Sequence, residues 1–297
     1  MGHQRKKVDS NTSAKAVKGV VCVAIDNGTF SINSADDAVH SNGEVVISGG
    51  TFSISSGDDG VHADSILSID GCNITILKCF EGIESKTIII NDGNIHITAS
   101  DDGINGAVGK DGSRAPEWHG GIPSLGNYDL YINGGYIVVN ALRDGLDVNG
   151  SIDMKGETVI IHGPTSNMNS VVDYDAGFKM TRGFIVAAGS SGMAQSPSMN
   201  STQYSLLMNF RSVITARTLF HIQNSSNTDI LTFMPLRSYQ SVMFCSSALT
   251  KGSSYDVYLG GSSTGTAADG LYEGGTYSGG TISATFTIYG IVTKIKK

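Results

Sequence analysis

The stretch that decides the fold is Gly28-Thr29-Phe30-Ser31-Ile32, which returns as Gly50-Thr51-Phe52-Ser53-Ile54. Each copy alternates apolar and polar side chains, the period-two mark of a strand with one buried face. Each opens on a glycine preceded by Asn27 or Gly49, a turn signal. Outward from this pair, related units begin at Gly71, Gly93, Gly135 and Gly156, giving spacings of 22, 21, 22, 42 and 21 residues. The longest spacing is one period interrupted by an insertion at 106–127. A unit of 21–22 residues has room for two or three short strands and none for a helix, and helical i, i+3, i+4 spacing is absent.

Stacked units of this kind describe a right-handed parallel β-helix, each coil lying about 4.8 Å above the last. A leucine-rich repeat would need L-x-x-L-x-L, and a calcium-binding nonapeptide roll has a period far shorter than this one. The expected fold is therefore all-β: a helix over residues 14–190, then irregular C-terminal strands over 191–297 as its cap or extension. Residues 1–13, polar and basic, read as a disordered tail or a trimmed processing junction. In the C-terminal part the runs 205–210, 219–223, 230–233, 241–244, 255–259 and 281–288 are strand candidates.

Acids recur at one place in the repeat: Asp36-Asp37-Ala38-Val39-His40, Asp58-Asp59-Gly60-Val61-His62, Glu81-Gly82-Ile83-Glu84, Asp101-Asp102-Gly103-Ile104-Asn105 and Asp144-Gly145-Leu146-Asp147. Equal register in a solenoid stacks these carboxylates in a column. Two anions about 4.8 Å apart repel by roughly 3–4 kcal/mol at an effective dielectric of 20. Calcium relieves the conflict, because it takes six to eight oxygens at about 2.3–2.6 Å and so spans the coil repeat. Asp64, Asp173 and Asp175 near the same edge are further ligand candidates. His40 and His62 recur together without a Cys or third His, so a stacked pair bonded to neighbouring acids is expected rather than a zinc site. Cys22, Cys72, Cys79 and Cys245 form no metal-type pair and read as buried free thiols.

The formal net charge of −7 conceals a middle segment, residues 19–175, with 22 acidic against six basic side chains. Such a body repels polynucleotides, so no nucleic-acid partner is expected. No run of eighteen apolar residues exists, so no transmembrane helix is expected either.

The repeated G-T-F-S-I followed by D-D-G-V-H does not stand alone. With it come Gly163-Pro164-Thr165-Ser166-Asn167, Asp173-Tyr174-Asp175, Gly189-Ser190-Ser191-Gly192-Met193-Ala194-Gln195 and Asp269-Gly270-Leu271-Tyr272-Glu273-Gly274-Gly275-Thr276-Tyr277. Together these motifs resemble the clostridial carbohydrate-binding domain family over nearly the whole chain. The resemblance implies a calcium-binding, polysaccharide-lyase-like β-helix that acts outside the cell or at its surface. It further implies binding of plant cell-wall polysaccharide, cellulose and polygalacturonate, with no established catalysis. A weaker likeness is to calcium-dependent pectate lyases with a D-D-G-x-D motif, which Asp144-Gly145-Leu146-Asp147 approaches. Lyase chemistry needs an unprotonated base beside a metal-bound uronate, and Arg143 and Lys86 are the cations adjoining the acids. Both read better as counter-charges. Sugar contacts are expected from the insertion, which holds Trp118, Lys110 and Arg114, together with Arg143 and Tyr174.

Overall fold

The computed structural model describes residues 14–107 and 128–297. Seven coils of a parallel β-solenoid occupy the first part, each built from three strands on three faces. The second coil is typical, with strands Val39–Ser41, Glu44–Ile47 and Thr51–Ser55. The seventh, Val172–Tyr174, Gly177–Met180 and Phe184–Gly189, ends the regular stack. Pairing between coils is parallel throughout, as in Thr29↔Thr51 and Thr51↔Asn73.

The alternation read from the sequence is what fills the interior. Val45, Leu67, Ile88, Leu130, Ile152 and Phe178 follow one another in register on the second face, and all are buried. Burying each such side chain contributes about 1.5–3 kcal/mol. Phe30 and Phe52 stack with centroids 4.7 Å apart, so identical residues repeat in contact.

The glycine alignment needs two corrections. Asn73 pairs with both Thr51 and Asn94, so Cys72 rather than Gly71 stands opposite Gly50, and the unit gains one residue there. Likewise Tyr136 pairs with Thr158, which puts Glu157, not Gly156, in line with Gly135; Gly183 resumes the left-handed turn with φ +104°.

Beyond Gly189 the direction of pairing changes. Phe184–Gly189 pairs antiparallel with Tyr239–Cys245, which pairs antiparallel with Ser205–Ile214. A second, antiparallel sheet of six strands includes Phe220–Asn224, Asp229–Phe233, Ser254–Leu259 and Thr281–Thr287. It packs on the outer side of the third face, where Val138, Ile160 and Val186 join Phe220, Ile222 and Phe233 in a second core. The C-terminal strands thus extend the third face and roof part of it. The alternation had already lapsed where the roof sits: Ile137-Val138-Val139 and Val159-Ile160-Ile161 are apolar on both sides, unlike Phe52-Ser53-Ile54.

Of the four cysteines, none disulfide-bonded, Cys72, Cys79 and Cys245 are buried as expected, but Cys22 is exposed on the first coil. Among the described residues, no helix is long and apolar enough to cross a membrane.

Candidate metal centre

The turn that leads into the first face carries the recurring acids into line. Val39, Val61, Ile83, Ile104, Leu146 and Val172 are successive register partners. Two residues before them stand Asp37, Asp59, Glu81, Asp102 and Asp144; one after them stand His40, His62, Glu84, Asn105, Asp147 and Asp173. Asp36, Asp58 and Asp101 flank the inner column, while Phe80 and Arg143 occupy that place in the other two coils.

The inner carboxylates tie coil to coil. Asp37 Oδ1 accepts the backbone N–H of Asp59 at 3.1 Å, and Asp144 Oδ1 accepts that of Ser170. Such bonds satisfy turn N–H groups that the strand ladders do not reach. They also commit one oxygen of each carboxylate and leave the other to find a partner.

At the N-terminal end the partners are cations of the chain itself. Lys15 Nζ contacts Asp37 and lies 3.5 Å from Asp36. His40 Nδ1 lies 2.8 Å from Asp37 Oδ2. Burial alone would raise the Asp37 carboxyl, but the bonds from His40 and Lys15 hold it well below the usual carboxylate range. His62 Nδ1 reaches Glu84 at 2.9 Å and Asp59 at 3.1 Å, and its Nε2 reaches Asp64 at 3.0 Å. Burial works against a charged imidazole there, yet the bonds to Asp59 and Glu84 push its pKa up to about 11, so His62 bridges the carboxylates as a cation. The two imidazoles stack with centroids 4.8 Å apart, the arrangement expected from their spacing.

Toward the middle of the solenoid, carboxylates crowd one another. Burial, and then Glu84, push Glu81 up to about 8. Asp102 is raised by burial and by Asp147, Asp101 and Asp144. Burial lifts Asp144 to about 6 against the lowering effect of the Ser170 N–H. Arg143 Nε lies 2.5 Å from Asp101, and Asn105 Nδ2 donates to Glu81 at 2.9 Å. Groups with this electrostatic conflict take up protons or a cation.

The donor set fits a hard divalent ion. Glu81, Asp101 and Asp102 each bring an oxygen within 4.8 Å of the others, and Asp102, Asp144 and Asp147 do the same, with Asp102 common to both groups. Asn105 Oδ1 is buried and makes no hydrogen bond among the described residues, an oxygen left over beside the first group. All-oxygen sets suit calcium or magnesium, and the flexible ligand count of calcium suits a shared carboxylate better. Asp36, Asp37 and Asp58 form a third carboxylate group, with Lys15 against it.

The remaining candidates are scattered. Asp173 continues the column in register with Asp147 and accepts from Gln195 Nε2 at 2.9 Å. Tyr174 is half-buried, donates to the Ser196 carbonyl at 2.7 Å and packs edge-on against Phe178, as part of the last coil's packing. Arg143 is exposed and acts as a counter-charge to Asp101. Lys110, Arg114 and Trp118 lie outside the described residues, as does the expected tail 1–13. Lys15 was missed by sequence reasoning, although it stands 22 residues before Asp37 and so at the column's register.

Comparison with known proteins finds a likeness at the N-terminal end of the chain. A family model described as carbohydrate-binding domain-containing protein matches residues 1–60, the part of the chain that holds the first two coils and the acids Asp36, Asp37, Asp58 and Asp59. No curated protein and no solved structure matches the chain.

Proposed function

We propose that this chain is a non-catalytic carbohydrate-binding protein that holds calcium in its acidic column and works outside the cell on plant cell-wall polysaccharide. The carbohydrate part of the reading is carried by the family match over residues 1–60. The calcium part is supported by the two groups that share Asp102, with the buried Asn105 oxygen beside them. Calcium bound there would supply positive charge to an acidic surface, which attracts sugar acids such as polygalacturonate that the bare carboxylates repel. Glu81, Asp101, Asp102, Asn105, Asp144 and Asp147 are the residues that would hold it.

The test is retention on polygalacturonate and on cellulose, with calcium and with a chelator. The reading expects both polymers to retain the protein, and the chelator to release it from polygalacturonate. Absence of retention on both polymers in calcium overturns it. Appearance of unsaturated products would replace it with a lyase.

A further inference from the structure

A second corner of the solenoid carries a feature unrelated to the acids. At the turn between the second and third strands, Gly28, Gly50, Gly93 and Gly135 all have φ between +89° and +132°, and Gly71 has φ +143°. Glycine is the residue that adopts such angles without strain. A Cβ on Gly135 would also meet the Gly93 carbonyl oxygen at 2.9 Å. The turn repeats coil after coil, with Cys72, whose side chain is buried, in line between Gly50 and Gly93, so a stripe with no exposed side chain runs along the solenoid axis. From Gly28 to Gly135 it crosses four coil steps, about 19 Å at the strand spacing.

Gly50, Gly71, Cys72, Gly93 and Gly135 line an open groove of about 540 Å³ along this stripe. Its walls include Asn27, Thr51, Asn73, Asn94 and Tyr136, and Asp92 and Glu157 also border it. Asn73 and Asn94 are register partners and both are exposed. Tyr136 stands where the roof begins: its Oη donates to Asp269 Oδ2 at 2.9 Å, and His96 Nε2 reaches the same oxygen at 3.2 Å. The ring is therefore fixed in place before any ligand arrives.

We infer that this groove binds a neutral linear glycan lying along the solenoid axis. Amide, hydroxyl and carboxylate groups lining one trough suit the vicinal hydroxyls of a sugar chain, and an anchored tyrosine offers a face for a sugar ring. The lining contains no Lys or Arg, while Asp92 and Glu157 oppose a uronate. Apart from Tyr136 and Cys72 it contains no large apolar side chain, which leaves little to hold a lipid or an apolar peptide. The inference rests on the carbohydrate reading and deepens it, since it separates a neutral-sugar site from the acidic column.

The experiment is isothermal titration of the full chain with cellohexaose, xylohexaose, mannohexaose and a galacturonate hexamer, each in calcium and in excess chelator. At least one neutral hexamer should bind in both conditions. Asn73→Ala with Asn94→Ala should weaken that binding by about tenfold with the melting temperature unchanged, as loss of one or two net hydrogen bonds requires. Thr51→Arg, which fills the trough from an exposed position, should weaken it at least as much, and Asp102→Asn should leave it intact. If only the galacturonate hexamer binds, or if neutral binding survives the groove variants, the inference falls and the carbohydrate reading stands. If no hexamer binds at all, both fall.

Discussion

Asp102 Oδ1 accepts the backbone N–H of Asp144 at 2.8 Å, so two residues 42 apart in sequence are adjacent coils in space. The register of the stack is kept on either side of this interval, because Ile104↔Leu146 pairs as Ile83↔Ile104 does. The same carboxylate belongs to both acidic groups. One side chain thus joins the solenoid's continuity to its candidate metal chemistry.

Asp102→Asn separates those two roles. The amide oxygen can still accept the Asp144 N–H, and a neutral group at a buried, anion-crowded position removes repulsion. Stability in chelator should hold or rise, while calcium affinity should drop by about tenfold or more. Calorimetric titration and thermal unfolding, run side by side, check this. Calcium affinity equal to wild type would move the metal centre elsewhere.

Calcium itself should stabilise the fold by mass action. Binding only the native state at about one hundred times its dissociation constant adds roughly 2.7 kcal/mol. Thermal scans should show a melting temperature that climbs with calcium concentration and returns to its starting value in chelator. A flat response would count against ligation by the column.

His162 sets a dependence on acid. Its Nε2 donates to the Asp269 carbonyl at 3.0 Å and its Nδ1 accepts the Leu236 N–H at 3.1 Å, so only the neutral ring serves both. Burial lowers its pKa from 6.5 to about 4. Between those values the unfolded chain gains a proton that the folded chain refuses. The contribution is complete above about pH 6.5 and shrinks by roughly 3 kcal/mol on the way down to pH 4. Glu81 and Asp144, raised by burial, titrate with the opposite sign. The readout is therefore the difference between wild type and His162→Gln in urea unfolding, at about pH 7.5 and about pH 4.5. The gap should narrow in acid; a constant gap would show that His162 does not sense it.

Glycines should divide by their surroundings. Gly135→Ala places a Cβ at 2.9 Å from a backbone oxygen at φ +89°, and should cost about 1–3 kcal/mol or more from strain and contact together. Gly252→Ala, at φ +83° with nothing within 4 Å, should cost only about 1 kcal/mol. Denaturant midpoints of the two variants give the comparison.

The solenoid was legible because its sequence repeats at the level of side-chain chemistry. Phe30 and Phe52, or Asp37 and Asp59, occupy equal places and so must meet. Insertions of one residue were harder to see: Gly71 and Gly156 look like members of the turn series, but pairing puts Cys72 and Glu157 in line instead. The roof over the third face left a trace in the lost alternation at Val138 and Ile160, yet nothing local says which strands supply it. In the column, spacing gave the stack of acids. It did not show that Lys15 and His62 neutralise one end, nor that the Asn105 oxygen lacks a hydrogen bond among the described residues, because both depend on side-chain orientation rather than register.

Asp102's double membership has a further consequence for how the column would fill. A first ion would neutralise that shared side chain and repel a second cation at the neighbouring group, so the second would enter less readily. Loading would then spread over a broad isotherm in calcium activity rather than a steep threshold, and the half-filled molecule would be a populated state.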